Sequence, residues 1–162
     1  MDKSLAGNDL LRYAIEQYSD MIVRIAYQNL KNRADAEDMA QEVFIKFFKQ
    51  PIFNDEHHIK QWLIRVTINQ CKNHKKSFWQ RKTEPISEAL QTFDSEQQHM
   101  LDELWKLPQN YRNVIYLHHY EGYTISEIAK ILNRKENTVG SWLGRAKKKL
   151  KNLLTEGGYT HE

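Results

Sequence analysis

An all-α fold, in two small helical domains joined by a flexible linker, is what this 162-residue sequence predicts. Three observations carry that reading. Only 6 Gly and 3 Pro interrupt the chain. Apolar residues recur at helical spacing through most of it, and no stretch alternates apolar and polar residues as a half-buried strand does. A polar segment around Pro85 loses the periodicity, which separates a domain at 1–82 from one at 98–156 by a linker at 83–97.

Taken in order, Asp9 suits the N-cap of a first helix in which Leu11, Ile15, Tyr18, Ile22 and Ile25 share a face. Lys31-Asn32-Arg33 breaks it. A second helix is expected from about Asp35, with three acids in its first turn, where the macrodipole favours them. Gln50-Pro51 ends this helix, because Pro has no backbone donor. After a loop through Phe53, a third helix runs from about His58 to Arg81, with Ile59, Trp62, Leu63 and Val66 as its core stripe. In the second domain Leu101, Leu104 and Leu107 share a face, and Pro108 opens the next helix at its first position. Glu121-Gly122-Tyr123 makes a turn.

Residues 124–151 then read as a helix-turn-helix. Thr124 with Glu127 forms a capping box, and Ile125, Ile128, Ala129 and Leu132 make the buried stripe of a supporting helix. Asn133 tolerates the left-handed conformation that a sharp turn needs. In the second helix Val139, Leu143, Ala146 and Leu150 point inward. Lys135, Glu136, Asn137, Thr138, Ser141, Trp142 and Arg145 remain near or on the outer face, and Lys148 lies in the basic run that follows. Polar side chains at the start of such a helix suit base edges in the DNA major groove.

Charge supports the same division. Residues 1–84 hold 14 Lys/Arg against 11 Asp/Glu, 85–107 hold 1 against 5, and 108–162 hold 9 against 5. Two weakly basic blocks therefore flank an acidic connector. The cations bunch at Lys72, Lys75, Lys76, Arg81 and Lys82, and again at Arg145, Lys147, Lys148, Lys149 and Lys151, where they can neutralise neighbouring phosphates. The sequence shows neither a membrane-length apolar stretch nor a signal peptide, and its one cysteine, Cys71, cannot pair within the chain. A cytoplasmic protein is expected.

Two further patterns lie in the first domain. On the second helix, Asp38, Gln41, Glu42, Ile45 and Phe48 form an acidic and apolar ridge beside the core stripe of Ala36, Met39, Ala40, Val43, Phe44 and Phe47. Such a ridge either docks a protein partner or is covered by another helix. On the third helix, Arg65, Asn69, Lys72 and Lys76 fall in one polar line, with aromatic Phe53 in the loop before it. Cations beside aromatic surfaces suit an unpaired nucleic-acid strand.

Three function classes compete. A conventional helix-turn-helix regulator, with residues 1–81 as a dimerising or ligand module, explains 108–155 but leaves the Arg65–Lys76 line unused. A nuclease built on Asp35, Glu37, Asp38 and Glu42 needs acids that a first helical turn already explains. Cys71 with His74, or His118-His119, supplies too few ligands for zinc. No cofactor or metal is expected.

The third class comes from a resemblance. Asn32 to Phe44 resembles region 2.2 of bacterial RNA polymerase sigma factors of the extracytoplasmic-function subfamily. Trp62-Leu63-Ile64-Arg65-Val66-Thr67-Ile68-Asn69 is similar to that family's Trp-Leu-x-Arg-x-x-x-Asn segment, and Leu107 to Arg112 with 124–151 looks like its region 4. The resemblance implies an accessory of core polymerase with no catalytic group. It implies that Asp38, Gln41, Glu42, Ile45 and Phe48 dock on the clamp helices of the largest subunit. It further implies that loop 52–58, with Arg65, Asn69, Lys72 and Asn73, opens the −10 element, while region 4 rests on the flap of the second-largest subunit and reads −35 through 135–145. An anti-sigma partner is expected. Gly140, Trp142 and Gly144 depart from the family pattern, which often has Lys, Arg and His there, so the −35 sequence is not implied.

Overall fold

The computed structural model describes residues 3–50, 53, 55–78 and 102–156, and it divides into two compact units, Met1–Ala89 and Leu90–Glu162. Every described element is helical.

In the first unit, α1 (Lys3–Leu30), α2 (Arg33–Lys49) and α3 (Glu56–Phe78) each pack on the other two. Ala14, Tyr18, Met21, Ile22 and Ile25 of α1 meet Met39, Val43 and Phe47 of α2 and Leu63, Ile64 and Ile68 of α3 in one buried core. Asp9 does not cap α1. The helix starts six residues earlier, through Leu5 and Ala6, which are strong helix formers. Ile15 is not core either: it stands one step off the buried stripe and is 40% exposed.

Lys31 ends α1 in the left-handed region (φ 60°), with its N–H on the Tyr27 carbonyl at 2.7 Å. Asn32 then caps α2, its side chain accepting from the Asp35 N–H at 3.0 Å. That cap starts the helix at Arg33, two residues before the expected point, and leaves Asp35 as the single acid of the first turn. Asp55 does the same for α3: its carboxylate accepts from the His58 N–H at 2.8 Å, so the helix opens at Glu56. Residues 79–81, expected to finish this helix, lie outside the described residues. Along α3, Ile59, Leu63, Ile64, Thr67, Ile68 and Cys71 are buried, whereas Trp62 and Val66 are half-buried at the margin. The stripe is rotated from the expected one because α1 and α2 both cover it.

In the second unit Leu104 and Leu107 are buried as expected, while Leu101 lies outside the described residues. Pro108, extended at φ −55° and ψ 150°, is the N-cap rather than the first residue of α4 (Gln109–Ile115). A π-helical turn, Tyr116–Tyr120, follows without a sequence signal. It is closed by the Glu121 N–H on the Tyr116 carbonyl at 3.3 Å, and Tyr116 stacks on Tyr120 at 5.2 Å. Gly122 supplies the positive φ (73°) that lets the chain reverse into α5 (Ile125–Leu132). Buried Tyr123 has its phenol pushed up to about 12, by burial first and then by the Glu121 and Glu127 charges.

One tie joins the start of α3 to α1. The Tyr13 and Tyr18 hydroxyls both donate to Glu56 Oε1, Tyr18 at 2.9 Å. The Tyr13 bond first, and the Tyr18 bond second, hold the Glu56 carboxyl below its ordinary range. A depressed carboxyl adds stability at pH above its unfolded value, and that stability is lost as pH falls through the folded one. Tyr13→Phe with Tyr18→Phe is expected to raise the Glu56 titration midpoint in a carboxyl NMR titration. Acid unfolding of the double variant then begins at higher pH.

Candidate nucleic-acid and partner interfaces

The helix-turn-helix forms as its caps dictate. The Thr124 side chain accepts from the Glu127 N–H at 3.1 Å, and the Glu127 carboxylate accepts from the Thr124 N–H at 3.0 Å. Asn133 turns the chain at φ 54° and ψ 52°, and α6 (Glu136–Glu156) follows after two residues. Ile128, Ala129 and Ile131 are the buried side of α5. Ile125 is 37% exposed and Leu132 half-buried, so the expected stripe is shifted toward Ile131. On α6, Val139, Leu143, Ala146 and Leu150 are buried at the predicted positions.

The opposite side of α6 is the candidate base-reading face. Lys135, Glu136, Asn137, Ser141, Arg145 and Lys148 are exposed, and Thr138 is half-buried. Trp142 sits on the flank, half-buried, with the Arg134 guanidinium 5.9 Å from its ring centre. Two turns further along, the Lys149 ammonium lies 5.5 Å over the Tyr111 ring of α4. Arg134 is absent from the residues singled out in the sequence. Its contact with Trp142 crosses the turn at a separation of eight residues, which helix periodicity does not predict.

Gly140 and Gly144 are not demanded by packing. A Cβ at Gly144 meets nothing within 4 Å, and one at Gly140 meets only the tip of Ile125 at 4.0 Å. Exposed Gly144 leaves the outer surface of α6 low.

In the first unit Arg65, Asn69, Lys72 and Asn73 are exposed along α3, on the side away from its core stripe. The Lys76 side chain lies outside the described residues. Phe53 does not stand out into solvent. It stacks on buried Phe47 at 4.8 Å and meets the edges of Trp62 and His58 at 5.6 and 5.2 Å. The result is a half-buried aromatic cluster at one end of the cation line.

The α2 ridge is left uncovered within its unit: Ile45 is 57% and Phe48 51% exposed, and Asp38 and Gln41 are exposed beside them. Glu42 is half-buried where α2 meets α3. Its charge, after burial, pushes the Cys71 thiol up to about 12. The acids proposed for a nuclease do not converge. Asp35 is buried against the Asn32 cap, whereas exposed Glu37 accepts from Arg33 Nε at 2.9 Å. Among the described residues no three His, Cys, Asp or Glu side chains are grouped as a metal site.

Residues 14–81 match the family described as Sigma-70 region 2, and residues 99–150 match Sigma-70, region 4. The chain is 30% identical over 166 residues to RNA polymerase sigma factor SigV of Bacillus subtilis, covering 96% of this chain and 98% of SigV. It is 26% identical over 155 residues to ECF RNA polymerase sigma factor SigE of Mycolicibacterium smegmatis, covering 88% of this chain and 60% of that protein. The sigma factor RpoE of Bartonella quintana, solved in complex with the anti-sigma factor NepR, shares the fold. Its TM-score is 0.71 at 19% identity, over 89% of this chain and 96% of that one.

This chain belongs to the RNA polymerase sigma factors of the sigma-70 family, in their extracytoplasmic-function (ECF) group. It is a DNA-binding transcription initiation factor that directs core polymerase to promoters. The match over the N-terminal unit disfavours a conventional regulator, because that unit belongs to the same family and is not an added ligand or dimerisation module.

The open surroundings of Gly144 give a direct test of its backbone cost. Gly144→Ala is expected to stabilise the second unit by about 1 kcal/mol, since Gly in a helix interior is that much worse than Ala. In calorimetry of the full chain this corresponds to a rise of roughly 4–8 °C in the transition of a unit of this size.

Proposed function

We propose that the two units divide promoter recognition between them while core polymerase supplies the chemistry. The uncovered ridge on α2 carries this reading: large apolar side chains stand in water between acids, an arrangement that gains from burial against a partner. Asp38, Gln41, Glu42, Ile45 and Phe48 bind the clamp helices of the polymerase largest subunit. Phe53, Arg65, Asn69, Lys72, Asn73 and Lys76 engage the −10 element. The exposed cations track the phosphates of the parting strand, and the aromatic cluster at the end of the line borders the place where a base leaves the stack.

Lys135, Glu136, Asn137, Thr138, Ser141, Trp142, Arg145 and Lys148 engage −35, with the second unit resting on the flap of the second-largest subunit. Domain limits of 1–82, 83–97 and 98–156 follow from this division. The chain has no catalytic group of its own and works in the cytoplasm. No described helix is long and apolar enough to cross a membrane. An anti-sigma factor holds it inactive. Support for that comes from the RpoE relative, which was solved with such a partner.

Run-off transcription with purified core polymerase on a promoter pool tests the whole reading; absence of any initiated product overturns it. Arg65→Ala with Lys72→Ala is expected to reduce permanganate-detected melting by ten-fold or more while changing −35 duplex binding less than two-fold. Equal losses contradict the division of labour.

Gln41→Ala with Phe48→Ala is expected to weaken binding to core polymerase by at least ten-fold, since exposed anchors carry most of an interface's energy. The thermal transition of the first unit stays within about 2 °C of the parent, as substitutions at exposed positions usually do. A collapse of that transition shows instead that the ridge is structural.

A further inference from the structure

Trp142 is placed too far round α6 to read a base edge. The buried line of Val139, Leu143, Ala146 and Leu150 defines the inner side, and Ser141, Arg145 and Lys148 define the outer one. Trp142 lies between them, half-buried. A helix about 10–12 Å across nearly fills a major groove about 12 Å wide. Its outer side therefore meets bases, and its flanks meet the sugar-phosphate walls.

On this flank two cations are held on aromatic faces: Arg134 over Trp142 at 5.9 Å and Lys149 over Tyr111 at 5.5 Å. Trp142 and Lys149 are seven residues apart, about two turns or 10 Å along the helix. Both cations are exposed, and among the described residues neither forms an ion pair. A guanidinium lying on a ring keeps the N–H groups of its edge for an anion, and its planar fork matches two phosphate oxygens.

We propose that Arg134, poised over the Trp142 ring, is a phosphate-binding site that seats the recognition helix against one DNA strand, with Trp142 as its platform and not a base reader. Lys149 on Tyr111 extends the same rail along that strand. The proposal rests on the reading of α6 as the −35 helix. It adds a contact that is blind to sequence and sets how deep and at what angle the helix lies.

The test uses holoenzyme, this chain with core polymerase, on duplexes selected from a random −35 pool by the wild-type protein. Affinity is measured against salt concentration. Arg134→Ala is expected to flatten the slope of log K against log salt by about one unit, the loss of one phosphate contact. The loss is uniform across −35 variants, so the selected sequence stays the same. Arg134→Lys keeps most of the slope. Trp142→Phe keeps the platform and changes little. Trp142→Ala costs as much as Arg134→Ala, and the two losses together fall well short of additive.

An unchanged slope in Arg134→Ala overturns the proposal, as does a changed −35 preference or full additivity with Trp142→Ala. Should Trp142→Ala unfold the second unit, the exposed Arg134 variants decide alone through the salt slope. If wild-type holoenzyme selects no −35 sequence, the reading of α6 fails together with this one. If it selects one and the slope does not move, only the Arg134 site is lost.

Discussion

A helical unit of sixty to eighty residues can bury one stripe of each helix and no more, and most of this protein's surface chemistry follows from that constraint. In the first unit α1, α2 and α3 turn their buried stripes toward one another. Whatever else those helices carry is left outside. The α2 ridge and the α3 cation line are thus consequences of the core: Val43 and Phe47 inward oblige Ile45 and Phe48 outward on the same helix. Function occupies the surface that packing cannot use.

The second unit obeys the same rule with one addition. Its two last helices are set at their angle by backbone geometry as well as by burial. A capping box starts α5, a left-handed Asn133 ends it, and only two residues separate that turn from α6. With so short a connection, the outer side of α6 is fixed by the inner one. Local hydrogen bonds at Thr124, Glu127 and Asn133 therefore govern where Asn137, Ser141 and Arg145 point.

Much of this was legible in the sequence, for stated reasons. The α6 stripe of Val139, Leu143, Ala146 and Leu150, the Thr124–Glu127 box and the Asn133 turn were all readable, because each is a local signal with a fixed spacing. Helix starts were less legible. Asp35 and His58 are the expected starts of α2 and α3, yet both starts are decided by residues just upstream, Asn32 and Asp55, whose side chains reach the orphan N–H groups. The π-helical turn at Tyr116–Tyr120, where Tyr116 and Leu117 are buried, has no composition signal. Phe53 shows the same limit. Its position in a loop says nothing of its neighbours, and only the three-dimensional placement of Phe47 and Trp62 reveals the aromatic cluster it joins.

The solitary thiol of Cys71 has a practical and a biological corollary. It is 1% exposed and its acidity is suppressed, so almost no thiolate exists at neutral pH to meet an oxidant or an alkylating dye. The polypeptide is thus close to thiol-silent without any engineering. A cysteine placed at an exposed site on each unit can carry a fluorophore pair and report the distance between them during promoter capture. Oxidants that act through a thiolate, for their part, find little to attack at Cys71.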